Sequence, residues 1–269
     1  MNCDISVIIP AYKSSGTLRR ALDSIYSQSL LPREILVVDD GSEDWEESKL
    51  IAASYPDSIY VRFIRCEKNG GASVARNVGL DASSCRYIAF LDSDDVWFKD
   101  KLEIQYGTMV RNRIDFSMHG FIEEIDNFRW EGEDARDVRP LCFALSSWSL
   151  LFKNYATPTV MVLREKMVPF DPFLRRNEDW KCWMEIFSKR GVKGVYIGQA
   201  LAGGFKPSMG VSGLTQDVKE MHLSRIIALK RLMNEGKITI TQYLVGICME
   251  TAKYPLRVMI IAVRRHDVT

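Results

Sequence analysis

Apolar residues in this chain gather in short runs, and several runs stop abruptly at polar clusters. Residues 5–9 read as a strand that Pro10 ends, because proline has no N–H for a central ladder. A helix follows over 18–27, where Leu18, Leu22 and Ile25 recur at helical spacing, with Ser14, Ser15 or Thr17 as candidate caps. Residues 35–38 are wholly apolar and stop at Asp39-Asp40-Gly41-Ser42. A short helix over 44–54 closes before Pro56, and 59–64 alternate with polar residues as an edge strand does. The Asn69-Gly70-Gly71 turn opens a helix over 72–80 that carries Arg76 and Asn77. Residues 87–91 then form an uncharged run that ends at Asp92-Ser93-Asp94-Asp95, three carboxylates within four positions.

Strands apolar on both faces and separated by helices predict an α/β fold, a doubly wound, mostly parallel sheet flanked by helices with right-handed crossovers. Beyond it the pattern predicts a helix over 98–109, a strand over 116–122, a charged surface loop over 126–140, a buried helix over 141–152, a strand over 159–163 and a helix over 179–189. Gly203, Gly204, Gly210 and Gly213, with Lys206 and Ser208 between them, mark a flexible segment suited to a lid. Two helices, over 218–234 and 239–265 with a break allowed at Pro255, form a helical C-terminal extension. The expected division is a ligand-binding α/β half over 1–125, a second half of the same domain over 126–214, and C-terminal helices over 215–269.

Composition narrows the function classes. A net charge of +1 gives no electrostatic footprint for a dedicated nucleic-acid binder. The six cysteines form no C-x-x-C pair and no regular spacing, which indicates neither a disulfide framework nor a zinc site. With no signal-peptide pattern at Met1-Asn2-Cys3-Asp4 and no apolar run of about 18 residues, a cytoplasmic protein is expected.

Ligands of open α/β sheets bind beyond the carboxyl ends of the strands, which is where Asp39, Asp40, Asp92, Asp94 and Asp95 fall. A divalent cation carrying phosphate suits the second cluster, since Mg2+ or Mn2+ is commonly held by one or two carboxylates plus substrate phosphates. A calcium loop beginning at Asp92 is rejected, because Val96 and Trp97 stand where an oxygen ligand and a glycine are needed. A carboxylate at Asp39 or Asp40 can accept a hydrogen bond from a nucleobase imide, and Gly41 lets backbone approach the ligand. Each acidic cluster also suits a cap or turn for purely local reasons. The acidic Asn177-Glu178-Asp179-Trp180 likewise suits a helix N-terminus. Near the C-terminus, Lys253, Arg257, Arg264 and Arg265 are mixed with Leu256, Val258, Ile260, Ile261 and Val263. That stretch reads as core packing or as a basic amphipathic helix on an anionic membrane.

Together, Val7-Ile8-Ile9-Pro10-Ala11-Tyr12, Val37-Val38-Asp39-Asp40-Gly41-Ser42, Asn69-Gly70-Gly71 with Ala75-Arg76-Asn77-x-Gly79, Phe90-Leu91-Asp92-Ser93-Asp94-Asp95 and Glu178-Asp179-Trp180 resemble glycosyltransferase family 2. These are inverting enzymes with a GT-A fold and nucleotide-sugar donors. The resemblance implies that Pro10, Tyr12 and Asp39 or Asp40 line a uridine pocket and that Arg76, Asp92 and Ser93 lie with them at the nucleotide. It implies that Asp92 and Asp94 hold Mn2+ or Mg2+, with Asp94 the direct ligand, and that Asp179, paired with Glu178, is the general base. Lys13 and Lys99 stand where many members have asparagine and proline. No histidine lies in the segment 203–213, which leaves Lys206 to meet the diphosphate.

On that basis the expected activity is transfer of a hexose or N-acetylhexosamine from a UDP-sugar to a glycan or polyprenyl-diphosphate-linked acceptor, in O-antigen or capsular polysaccharide synthesis. Peripheral contact with the cytoplasmic face of an anionic inner membrane goes with it. The alternatives are a catalytically silent sugar-nucleotide-binding scaffold, which would be free to lose Asp94 or Asp179, and a nucleotidyltransferase, whose glycine- and lysine-rich triphosphate loop is missing.

Overall fold

The computed structural model describes residues 3–125, 141–205 and 217–266. The charged stretch 126–140, together with Lys206, Ser208, Gly210 and Gly213, lies outside the described residues.

The first half is built as the apolar runs predict, except that Pro10 does not end the first strand, which continues through it to Ala11 with Pro10 opposite Val38. Strands β1 (Cys3–Ala11), β2 (Pro32–Asp39), β3 (Tyr60–Arg65) and β4 (Tyr87–Phe90) alternate with helices α1 (Ser15–Tyr26), α2 (Trp45–Ala53) and α3 (Ala72–Ala82). These strands pair in parallel in the order β3-β2-β1-β4, with Val7 opposite both Ile35 and Ala89. Because successive strand residues face opposite sides, Ile5, Val7 and Ile9 join α1 and α2 in one core, while Ile8, Leu36, Ile88 and Phe90 enter another.

After β4 the chain runs through a short β5 (Asp95–Trp97), α4 (Lys101–Asn112) and β6 (Phe116–Ile122). Next come β7 (Cys142–Leu145), α5 (Ser147–Phe152), β8 (Met161–Leu163), α6 (Glu178–Ser188) and β9 (Gly194–Gly204). The sheet continues from β4 through antiparallel β8, then β6, β9 and β5, with β7 on β9. Helix α6 sets Trp180 and Trp183 into the second core, where Trp183 packs against Phe90, Phe116 and Phe170. Helices α7 (Val218–Asn234) and α8 (Ile240–His266) follow, and Leu229 and Leu232 of α7 enter that core too.

Four further sequence expectations are corrected. Residues 141–152 are a strand and a helix rather than one helix, because Ser146 and Ser149 form a reciprocal capping box that starts α5 afresh. The helix expected from residue 98 starts at Lys101, since 95–97 pair with β9. Gly203 and Gly204 are not lid residues; they end β9, opposite Val96 and Asp95. Pro255 does not break α8, which runs through it with the proline on an exposed face. Among the described residues no helix is long and apolar enough to cross a membrane.

Candidate functional site

The carboxyl ends of β1, β2 and β4 open onto one cleft of about 560 Å3. Its wall includes Pro10 near the end of β1 and Tyr12 just after it, Asp40 after β2, the Gly70-Gly71 turn, Arg76 on α3, Asp92, Ser93 and Asp94 after β4, and Glu178 at the start of α6. Tyr12 is half exposed at the rim.

Each turn is held by the residue type its motif supplies. Gly41 takes φ +70°, and a Cβ there would lie 2.7 Å from the Lys68 backbone, so β2 can turn only on glycine. Asp39 is fully buried, with one carboxylate oxygen accepting from the Ser42 N–H at 3.0 Å and the other unpaired among the described residues. Asp40 accepts the N–H groups of Gly70 and Gly71 at 2.9 and 2.7 Å, tying the turn before α3 to the end of β2. Burial raises the Asp40 carboxyl above its ordinary value against those two donors and Arg175. Gly71 itself stands at φ +91°, outside the reach of ordinary side chains.

Arg76 is the buried centre of the site. It donates to Asp92 at 2.8 Å and to Glu178 at 3.0 Å, joining α3, the β4 stop and the start of α6. Burial opposes its charge, yet the two carboxylates hold its proton more firmly than usual. Burial pushes Glu178 up to about 7, with the neighbouring Asp179 charge adding to the shift and Arg76 opposing it. It raises Asp92 too, against the pull of Arg76, with Asp94 and Asp179 adding like charge. One cation therefore serves more carboxylate than it can neutralise.

That excess of hard oxygen donors fits a divalent cation at Asp92 and Asp94. Among the described residues no three His, Cys, Asp or Glu side chains group as a complete metal cage. A cation here would take its other ligands from phosphate and water, as Mg2+ commonly does. Asp179 is half-buried beside the cleft rather than in its wall, and its carboxylate accepts from the Thr157 hydroxyl at 3.3 Å and the Trp180 N–H at 2.6 Å.

Sequence reasoning missed Arg175, which lines the cleft against Gly71. It also missed Arg20, which donates to the Asp94 carbonyl at 3.0 Å and so fixes the loop after β4. The only signal for Arg175 was a pair of arginines, Arg175-Arg176, directly before the acidic motif.

A parallel first half joined to a mixed second half, with carboxylates at the strand ends, is the pattern of a GT-A fold. The family model for "Glycosyl transferase family 2" matches residues 6–184, and the chain belongs to that family. An Escherichia coli relative, "UDP-Glc:alpha-D-GlcNAc-diphosphoundecaprenol beta-1,3-glucosyltransferase WfgD", is 32% identical over 197 residues, covering 72% of this chain and 74% of that one. A Rickettsia felis glycosyltransferase is 34% identical over 197 residues, or 71% of this chain, which spans 31% of that longer relative. Among solved structures, S. aureus TarS 1-349 in complex with UDP superposes with a TM-score of 0.70 at 18% identity, over 94% of this chain and 72% of that one. That likeness shows the fold.

Proposed function

We propose that this chain is an inverting glycosyltransferase that moves a hexose or N-acetylhexosamine from a UDP-sugar to a hydroxyl of a glycan or lipid-linked acceptor in polysaccharide synthesis. The observation that carries the reading is the Asp92–Arg76–Glu178 cluster, set in a cleft beside a glycine turn whose two N–H groups Asp40 holds. The E. coli relative named for a UDP-glucose donor and a diphosphoundecaprenol-linked acceptor supports the donor and acceptor classes.

In this reading Tyr12 and Pro10 form the platform for uridine, and Asp40 or Asp39 meets the base. Residues 1–125 form the donor half and residues 126–214 the acceptor half, followed by the C-terminal helices over 215–269. Arg76 holds Asp92 and Glu178 in place, and Ser93 and Asp94 face the diphosphate. A divalent cation bound at Asp92 and Asp94 would supply neutralising charge to the departing diphosphate. Asp179 accepts the proton of the acceptor hydroxyl as that oxygen bonds to the anomeric carbon and the carbon–phosphate-oxygen bond breaks, releasing UDP with inversion. Exposed Leu256, Val258 and Met259 beside Lys253 and Arg257 on α8 support peripheral contact with the cytoplasmic face of an anionic membrane.

The test is thermal stability with UDP, GDP, dTDP and NAD, each with and without Mn2+, since a ligand at about 100 times its Kd adds about 2.7 kcal/mol to the folded state. UDP is expected to stabilise the wild type with metal and to lose that effect in Asp94→Ala. Asp179→Asn should keep the response while transfer falls roughly 10²–10⁴-fold. A protein indifferent to every nucleotide would overturn the reading.

A further inference from the structure

Away from the cleft, helices α5, α6, α7 and α8 enclose a second cavity of about 60 Å3. At about 30 Å3 for each water in the liquid, it has room for roughly two waters, or one tetrahedral oxyanion. Three cationic side chains line it: Arg225 from α7, with Lys253 and Arg257 from α8.

Arg225 is the unusual one. Only 9% of it is exposed, and its guanidinium lies 3.9 Å over the Trp180 ring. Among the described residues it makes no hydrogen bond and no ion pair, although its group carries five donors. Glu250, the acid lining the cavity, is already engaged: Arg257 donates to both of its oxygens, and His222 lies 3.5 Å away. Lys253 spends one donor on the Phe152 carbonyl at 2.8 Å and keeps two. Burial pushes Arg225 down to about 10 and lowers Lys253 as well, with Arg257 adding to the shift of Lys253. Arginine nonetheless stays protonated at neutral pH, so a charge remains in the cavity that feels Glu250 at a distance but has no hydrogen-bonding acceptor among the described residues.

We propose that this cavity binds a phosphate group, held by Arg225, Lys253 and Arg257 against the face of Trp180. The planar fork of Arg225 suits bidentate contact with phosphate oxygens, and Lys253 adds a point charge. Such a group reaches the protein either free or as the headgroup of a membrane lipid. Helix α8, which supplies Lys253 and Arg257 to the cavity, also carries exposed Leu256, Val258 and Met259. The site is independent of the donor reading, since none of its lining residues lines the cleft.

The test titrates inorganic phosphate and pyrophosphate into the full chain by calorimetry, with UDP and Mn2+ present throughout, and compares wild type with Arg225→Gln and Lys253→Gln. Wild type is expected to bind one further phosphate, weakened at least about tenfold in each variant, while UDP affinity stays unchanged. Binding equal in wild type and both variants, or no binding in wild type, would overturn the site. Lys253 is only half-buried, so its variant reads the site even if Arg225→Gln folds poorly. Flotation with phosphatidylcholine vesicles, with and without phosphatidic acid, separates the sources. Partition that depends on phosphatidic acid and falls in Arg225→Gln assigns a lipid headgroup, whereas phosphate binding without such partition assigns free phosphate. Should UDP bind to none of the proteins, the donor reading fails, while the phosphate comparison between wild type and variants still reports on this cavity.

Discussion

Arg76 and Arg225 are buried to similar depths, with 5% and 9% of each exposed, yet the molecule treats them in opposite ways. Arg76 sits between Asp92 and Glu178, and its proton is held more tightly than usual. Arg225 rests on an aromatic face with its nearest acid committed elsewhere, and its proton is held less tightly. The first arginine is a strut that consumes its charge in joining three segments of the cleft. The second keeps its charge for something that arrives. Burial alone does not distinguish a structural cation from a recruiting one; the placement of carboxylates does.

The contrast breaks first, and with the largest effect, at Arg76. Arg76→Met removes the cation and leaves the buried Glu178 and the half-buried Asp92 without it. Losing one partner of a buried ion pair costs about 3–5 kcal/mol, because the remaining charge is left uncompensated. The urea midpoint should fall accordingly at pH 7.5 and recover partly as pH is lowered and the orphaned carboxylates take up protons. A variant as stable as wild type would show that Asp92 and Glu178 need no cation.

A third buried base answers the same problem by discharging. His119 is 1% exposed, donates from Nδ1–H to the Gly120 carbonyl at 2.7 Å, and leaves Nε2 unpaired among the described residues. Burial lowers its pKa to about 3, with Lys101 adding to the shift. Between about 6.5 and 3 the unfolded chain therefore binds a proton that the folded chain refuses, and stability is lost as pH falls through that window. At pH 5 the loss relative to pH 7.5 is about 2 kcal/mol, from roughly 1.5 pH units at 1.36 kcal/mol each. Urea unfolding at the two pH values should show that difference shrinking in His119→Gln; an unchanged difference would mean the imidazole accepts its proton in place.

Legibility in the sequence followed the same divide between local and long-range causes. Strands β1, β2 and β4 are buried on both faces, so each is written as an apolar run with a polar stop. Strand β9 is not, because Gly194–Gly204 carries little intrinsic strand preference and is held by pairing with β5, β6 and β7. The stops at Asp40 and Asp92 placed the cleft at its sheet edge. What no local pattern could reveal is that Arg76 reaches Glu178 across 102 positions, or that Arg175 joins the same wall. Arg225 was equally invisible, since one arginine in an amphipathic helix reads as a solvated charge until Trp180 is seen beneath it.

The smallest expected effect is the sharpest. Arg225→Met keeps the length of the side chain and exchanges a cation–π contact for a sulfur–aromatic one over Trp180, terms of similar size. It also removes a buried charge that has no hydrogen-bonding acceptor among the described residues. In phosphate-free buffer its stability should lie within about 1 kcal/mol of wild type, against the loss of several expected for Arg76→Met. Adding inorganic phosphate should then raise the urea midpoint of wild type and leave that of Arg225→Met unmoved. A loss as large as that of Arg76→Met in phosphate-free buffer would mean that Arg225 already has its partner within the chain, and the two arginines would be struts alike.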